Sequence, residues 1–462
     1  MSFTKVGSLR EMFVDEYLIE KYEGQGKLRM HSPHRAEVVF EFNGPMENAC
    51  SSVYSTVFQV EDHYRLYYRG HYPIGSVCGD AAQQQTAHVA ISADGINFER
   101  PTLKNYDFGD SGCGNVVWQG IQGHNFVPFL DQNPKCFDES RYKAVGGTGK
   151  NNLYSLNSKD GFSWSLTQKE PLSIPGKFDS ANLAFFDRII GKYRLFSRFS
   201  EKGRGRAIQS SFSKDFVNWT EPVPNSYEAG LPKEEFYTNA TVAVPGAEHT
   251  LLSFPMRYVA ERTTPLDDIS QMDYPGIGQK GMEGMTDAVV MSSRDGINWY
   301  RPFCEAWLRP GLDDRNWTHR NTTPAIGILQ TNDSEWSMYV SEHYGWSDNR
   351  LRRLSLRPWG FASIYADYRG GGILTKPIVF DGSELRINFS TSAIGSVRIE
   401  IQDAHGMPFP GYTFDEMDPI FGDQLDRRVN WIHQRNLSEL SGLEIKLRFE
   451  LCDADVFSFR FV

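Results

Sequence analysis

An all-β chain, folded as a five-bladed β-propeller followed by a C-terminal β-sandwich, is what these 462 residues predict. Three observations predict it. Aromatic residues make up 13% of the chain and are accompanied by 41 glycines and 23 prolines; aromatic and β-branched side chains suit pleated surfaces, and Gly and Pro suit tight connections. A turn motif recurs four times, as ISADGINF (Ile91 to Phe98), NSKDGFSW (Asn157 to Trp164), FSKDFVNW (Phe212 to Trp219) and SSRDGINW (Ser292 to Trp299). Beyond about Tyr365 the motif stops, and alternating strands such as ELRINFS, SVRIEIQD, KLRFELCD and VFSFRFV take over, the pattern of a two-layer β-domain.

Each turn closes a unit of four short strands. The first runs SSVYSTVFQVEDHYRLYYRG and then HVAISADGINFERP. The second is looser, with FVPFLD, RYKAVGG and NLYSLNSKDGFSW; the third runs NLAFFDRIIGKYRLFSRFS and AIQSSFSKDFVNWTEP. In the fourth, NATVAVPG and HTLLSFPMR are parted from AVVMSSRDGINWYRP by the insertion Glu261 to Met285, which is expected to rim a pocket. TPAIGILQ, EWSMYVSEHY and RLRRLSLRPWGF form the fifth. Units of roughly 45 to 75 residues match propeller blades, which bury their faces on one another. The expected division is a propeller over 1–365 and a sandwich over 366–462, hinged at the Gly-rich YRGGGILT.

Composition removes several function classes. A net charge of −10 without a long basic run disfavours nucleic acid and anionic membranes. No segment has the length and apolarity of a membrane span or a signal peptide, so a cytoplasmic enzyme is expected. The six cysteines, at 50, 78, 113, 136, 304 and 452, are scattered and read as thiols. No metal or cofactor is called for.

In a propeller blade the third-to-fourth turn lies on the face away from the central mouth, so Asp94, Asp160, Asp215 and Asp295 are expected to brace their own turns, with Phe98, Trp164, Trp219 and Trp299 packing between blades. Chemistry belongs instead to the loops leading into each inner strand and to the ends of the second strands. In chain order these offer Glu47 and Asn48; Arg69 and His71; His124 and Asn125; Asp179 and Asn182; Arg198; Glu234, Glu235, Tyr237 and Asn239; Arg257; Trp317, His319 and Arg320; and Glu342 and His343. Carboxylates, amides, guanidinium groups and aromatic rings around one funnel suit a sugar, whose hydroxyls take hydrogen bonds and whose C–H faces stack on rings.

With FVDEYLI near the start, FDSAN at the third unit and LRPWGF at the fifth, the chain resembles the five-bladed propeller glycoside hydrolases, chiefly families 32 and 43, and looks closest to bacterial family-32-like proteins. The resemblance implies a glycosidase cleaving a terminal bond of a small oligosaccharide or chain end. The family-32 motifs Trp-Met-Asn-Asp-Pro, Arg-Asp-Pro and Glu-Cys are absent from it. By position, Glu47 replaces the first-blade carboxylate and Asp179 the third-blade acid, with Glu235 as a further candidate. Such catalysis needs one protonated and one ionised carboxyl group, about 5 Å apart for retention and about 6.5 to 9.5 Å for inversion. Each candidate also has a plain structural reading, Glu47 as a loop residue, Asp179 as a turn cap, Glu235 as part of a charged run and Glu342 as an ion-pair partner. A glycoside phosphorylase, using Arg69, Arg198, Arg257 and His71 for phosphate, and a non-catalytic carbohydrate-binding propeller are the alternatives.

Overall fold

The computed structural model describes residues 3–72, 85–109, 112–273, 284–432 and 436–462. Among these the chain is all-β, its helical content limited to 3₁₀ turns such as Ile121–Gly123 and Asp314–Asn316. No helix among the described residues is long and apolar enough to cross a membrane. The chain divides into two compact units, one of residues 33–244 and 248–355, the other of 1–32, 245–247 and 356–462.

The first of these units carries seven sheets among the described residues: two small ones, Ser226–Tyr227 with Asn298–Trp299 and Glu235–Phe236 with Met256–Val259 and Met285–Ala288, accompany five that follow one another along the chain. Thr56–Val60, His63–His71, Gln85–Ser92 and Val116–Gln119 form the first sheet. Val127–Leu130, Tyr142–Gly147, Leu153–Ser158 and Ser165–Leu166 form the second. The third holds Leu183–Asp187, Lys192–Glu201, Gly205–Ser213 and Val223–Pro224. In the fourth, Thr241–Val244, Ala247–Ser253 and Met291–Ser293 pair in that order, and Ser292 bridges Tyr300. The fifth takes Thr323–Pro324, Trp336–Glu342 and Arg350–Leu356, and its last partner comes from the other end of the chain: His34–Glu41 runs antiparallel to Arg350–Leu356, with Glu41 opposite Arg350.

Neighbouring sheets touch in cyclic order. Tyr67 Oη donates to the Gly161 carbonyl at 2.9 Å and the Phe178 amide to the Gly149 carbonyl at 2.8 Å. Ser180 Oγ donates to the Tyr237 carbonyl at 2.7 Å and Thr286 Oγ1 to the Asn321 carbonyl at 2.5 Å. The Val57 amide then returns from the first sheet to the Ile326 carbonyl of the fifth, at 2.8 Å.

The repeated turns act as braces, as expected. Asp295 Oδ1 accepts from the Ile297 and Asn298 amides at 2.8 and 2.7 Å, and Asp94, Asp160 and Asp215 repeat the arrangement. The residue after the Asp sits at φ +74° to +77° in Gly95, Gly161 and Gly296, where a Cβ is disfavoured. Phe216 takes the same conformation at φ +67°, and its buried ring packs 5.6 Å from Phe129 and 5.2 Å from Tyr193. Phe98, Trp164 and Trp299 reach Tyr339, Tyr67 and Phe196 of adjacent sheets at 6.0, 6.5 and 6.0 Å; Trp219 instead packs on Phe216 of its own turn, 5.7 Å away. Replacing Asp295 by Ala is expected to cost about 1–2 kcal/mol through two lost charge-assisted hydrogen bonds, lowering Tm by a few degrees. Turnover per folded molecule should stay the same, which kcat corrected for folded fraction would check.

The other unit is built on two long antiparallel strands, Leu385–Asp403 and Glu444–Phe461. Alternate residues of both, including Ile387, Phe389, Ile399, Ile401, Leu447 and Phe449, are buried in one core. The sequence reading assigned residues 1–365 to the propeller, and here the structure corrects it. Glu11–Met12 pairs with Phe459 and Ser458, Ile19–Gly24 with Gly371–Thr375, and Lys27–Met30 with Ala362–Ala366. Phe13, Leu18 and Ile19 join the same core, so the first 32 residues fold with the C-terminal segment. Glu416, in the segment between the two long strands, closes a capping box with Thr413. The expectation of six thiols also changes, since Cys50 is disulfide-bonded; Cys113, Cys136, Cys304 and Cys452 are free, and Cys78 lies outside the described residues. Residues 274–283 of the insertion lie outside them as well.

Candidate active site

The loops leading into the first strands of the first, second, fourth and fifth of these sheets carry unusual backbone. Tyr54, Asn125, Ala240, Arg320 and Thr322 have φ between +41° and +65°, a left-handed conformation that costs a non-glycine residue free energy and marks places where side chains are held for a purpose. Tyr54 stands two residues before the first inner strand, and Asn125 two before the second.

These loops assemble a cluster around two tyrosines. Tyr54 and Tyr237 are buried, and each phenol bears on the ionisation of the other. The guanidinium carbons of Arg198, Arg206 and Arg320 lie 5.1, 4.8 and 5.3 Å from the Tyr237 ring centre, and that of Arg69 lies 5.6 Å from the Tyr54 ring. Burial raises the Tyr237 phenol, but Arg320, Arg198 and Arg206 outweigh it and bring it below its ordinary range. Tyr54 is pushed the other way, by burial and by the Tyr237 phenol. The pair is therefore polarised, with Tyr54 retaining its proton and Tyr237 the readier to ionise.

Around the tyrosines stand polar groups from every loop. Asp179, half-exposed, forms an ion pair with Arg198, which is itself buried. His124 Nδ1 bonds Gln85 Oε1, and burial, with Arg69 and Arg320 nearby, lowers its pKa to about 3. His71 is driven well below its ordinary value by burial and by Arg69, His88 and His124. Arg320 donates to Tyr344 Oη at 3.0 Å, and His319 meets Tyr258 edge-to-face at 5.9 Å. Asn182 donates to the Ser180 carbonyl at 2.8 Å, leaving its Oδ1 without a partner among the described residues.

Several residues expected at the mouth are held by partners within the protein. Glu47 is 1% exposed and its oxygens are fully engaged, accepting from Tyr68 Oη at 2.6 Å, the Gly44 amide at 2.8 Å and Arg100 at 2.7–2.9 Å. Burial would raise its pKa, but Arg100 and His88 overcome that and lower it. Glu342, 2% exposed, lies between Arg35, Arg350 and Arg352 at 3.2, 3.1 and 2.8 Å. His343 is bracketed by Asp313 and Asp348. Asn239 bonds backbone, its Nδ2 reaching the Ala181 carbonyl at 3.4 Å, and Asn48 Oδ1 accepts from the Cys50 amide at 2.9 Å. Glu235 accepts from Arg206 at 2.7 Å and so positions that cation beside Tyr237. Arg257 is held by Asp287 and Glu234; with Arg262, Arg309 and Trp317 it lines a separate cavity of about 700 Å³, and the Trp317 indole donates to the Gly311 carbonyl at 2.8 Å.

The cluster also contains residues that the sequence reading passed over, namely Tyr54, Arg206, Tyr258 and Tyr344. The first had a signal, since SSVYSTVF places a tyrosine at the same offset before its strand as the asparagine in GHNFVPF.

Three neutral buried histidines give the site a pH dependence of stability. Burial lowers His88 to about 4 and His124 to about 3, and His71 moves the same way. In the unfolded chain they bind protons near pH 6.5, so between that value and about pH 4 the unfolded state holds more protons and stability falls with pH. For His88 alone the full effect is about 3 kcal/mol. Urea midpoints should drop steadily from pH 7 to pH 4.5, and His88→Gln should flatten that slope. The turn aspartates, lowered mainly by their amide hydrogen bonds against burial, lose their contribution only below pH 3.8.

No family model matches the chain, and no curated protein matches it. Solved structures do. An N-acetylgalactosamine deacetylase from F. plautii, in complex with blood group B trisaccharide, is 12% identical, covering 71% of this chain and 95% of its own at a TM-score of 0.44. A family 43 arabinoxylan arabinofuranohydrolase from Bacillus subtilis is 11% identical, covering 91% and 97% at 0.42. A glycosyl hydrolase from Bacteroides ovatus is 12% identical, covering 74% and 97% at 0.42.

Proposed function

We propose that the protein is a glycoside hydrolase acting on a terminal sugar, with its five successive sheets as the blades of a β-propeller and its C-terminal unit as a β-sandwich. The cyclic contacts between sheets, and the pairing of His34–Glu41 with Arg350–Leu356, support the five-bladed reading. One observation carries the function. Side chains from all five lead-in loops or strand ends surround the Tyr54–Tyr237 pair: Arg69 from the first sheet, His124 from the second, Asp179 and Arg198 from the third, Tyr237 from the fourth and Arg320 from the fifth. Rings, cations and one solvent-facing carboxylate at a single point suit a sugar ring and the breaking of its bond.

In this reading Asp179 supplies the acid–base step at the glycosidic oxygen. Tyr237, among three guanidinium groups, takes the part of the second carboxylate, as a nucleophile or charge stabiliser; tyrosine nucleophiles are a known departure from the two-carboxylate scheme. Glu47 and Glu235 hold Arg100 and Arg206 in place. The test is a panel of aryl glycosides and plant and algal oligosaccharides, with and without phosphate. Release of a single terminal sugar without phosphate is expected. Because Arg198 keeps Nη1 unpartnered among the described residues, phosphorolysis is the second reading, and strictly phosphate-dependent turnover would select it. Binding without turnover under both conditions would leave a carbohydrate-binding protein.

A further inference from the structure

A buried guanidinium usually meets a carboxylate. Arg198 meets Asp179 and Arg206 meets Glu235, but Arg69 does not. It is 7% exposed, donates to the Cys50 carbonyl at 2.8 Å, and has no carboxylate within 4 Å among the described residues. Its Nε has no hydrogen-bond partner among them, nor has Nη1 of Arg198, which is 9% exposed. Two further side chains share this condition: both ring nitrogens of His71, 3% exposed, and both amide atoms of Asn125, 1% exposed. Arg69, Arg198 and His71 lie together, the two arginines against the tyrosine pair and Arg69 beside His71, and buried polar atoms left open in this way are groups awaiting a partner.

The missing partner has a definable chemistry. Arg69 and Arg198 flank the Tyr54–Tyr237 pair, and burial keeps His71 and His124 uncharged, so they add donors or acceptors but no positive charge. Against the guanidinium groups the cluster sets the Asp179 carboxylate and the Glu235 carboxylate behind Arg206. The local balance is therefore cationic in a protein whose net charge is −10. Cations placed where water is scarce select an anion, and guanidinium groups select an oxyanion in particular.

We infer that the sugar bound at this site carries an anionic substituent, a carboxylate or a sulfate ester, received by Arg69 and Arg198 beside the tyrosine pair. The inference rests on the carbohydrate reading above and narrows it from sugars in general to acidic ones.

Calorimetric titration of the full chain with matched oligosaccharides tests it: oligogalacturonate against the neutral oligogalactoside, and a sulfated galactan oligosaccharide against its desulfated form, with a neutral sugar plus inorganic phosphate as a third arm. At least one acidic member is expected to bind about tenfold or more tightly than its neutral counterpart, the difference of one charge-assisted contact, and to lose that margin as salt rises. Arg69→Gln should bring the acidic-to-neutral ratio toward one. Should that variant fail to fold, Arg69→Lys, which keeps the charge but not the planar fork, should lower the same ratio. Equal affinity for both members of every pair, a ratio unmoved by whichever variant folds, or tight binding only of the neutral sugar with phosphate would overturn the inference. Binding is read independently of turnover. Acidic sugars bound but not cleaved would remove the hydrolase reading and leave this one standing, whereas cleavage of neutral sugars with no acidic preference would do the reverse.

Discussion

Asp179→Asn is expected to lower kcat by about 10³-fold while leaving the melting temperature within about a degree of the parent. The size follows from losing a positioned proton-transfer group, worth roughly 10²–10⁴ in rate. The small effect on stability follows from exposure. The Asp179 side chain is 50% exposed while Arg198 is 10% exposed; asparagine keeps the oxygen that accepts from Arg198, and the solvent at Asp179 screens what the lost charge contributed. Tyr237→Phe should show a comparable loss in kcat, keeping the ring between Arg198, Arg206 and Arg320 but removing the hydroxyl. Single-turnover rates with folded variants check both. Near-parental kcat in Asp179→Asn would move the acid–base role elsewhere and with it the proposed chemistry.

Glu342→Gln is expected to have the opposite signature. Three arginines, Arg35, Arg350 and Arg352, converge on a carboxylate that is 2% exposed, so neutralising it leaves Arg35 and Arg352 without a counter-ion among the described residues, while Arg350 keeps Asp313 at 3.0 Å. Removing one partner of a buried ion pair costs about 3–5 kcal/mol, and the three cations, each 19–27% exposed, recover part of that by turning toward water. A loss of about 3 kcal/mol in urea unfolding, with kcat per folded molecule unchanged, is the expected result. Impaired sugar binding in a variant of normal stability would return Glu342 to the site. Glu47→Gln should behave alike on a smaller scale, since Arg100 is 31% exposed.

How far the sequence reveals such a site depends on whether a residue's role is set locally. The aspartate turns were legible because the partners of each aspartate side chain lie within three residues of it, as Ser293, Ile297 and Asn298 do for Asp295. The same holds for the positions of the lead-in loops, which follow from counting strands, and so Arg69, Asp179, Arg198, Tyr237 and Arg320 could be named together before their proximity was seen. What a loop position does not reveal is who comes to meet it. Glu47 looked like a catalytic carboxylate in GPMENAC, yet its fate is decided by Tyr68 and by Arg100, 53 positions further on. Glu342 is decided by Arg35, 307 positions earlier. The N-terminal 32 residues read as part of the repeat for the same reason: nothing within FVDEYLI announces that Phe13 will pack against Phe449 and Phe459.

The pairing of His34–Glu41 with Arg350–Leu356 joins segments roughly 300 residues apart, and this has a consequence for biosynthesis. At ~5–20 residues per second, on the order of 15 to 60 s pass between translation of the first strand and the appearance of its partner. Throughout that interval HRAEVVFE has no hydrogen-bonding mate in its final sheet, and the four sheets already translated have no neighbour to complete their circle. An unpaired strand is a template for the wrong chain, and His34, Arg35, Glu37 and Glu41 give this one a charge pattern that discourages such pairing. Nascent chains halted before residue 350 are therefore expected to be protease-sensitive at this strand and chaperone-bound, with resistance gained in a single late step once the fifth sheet has left the ribosome.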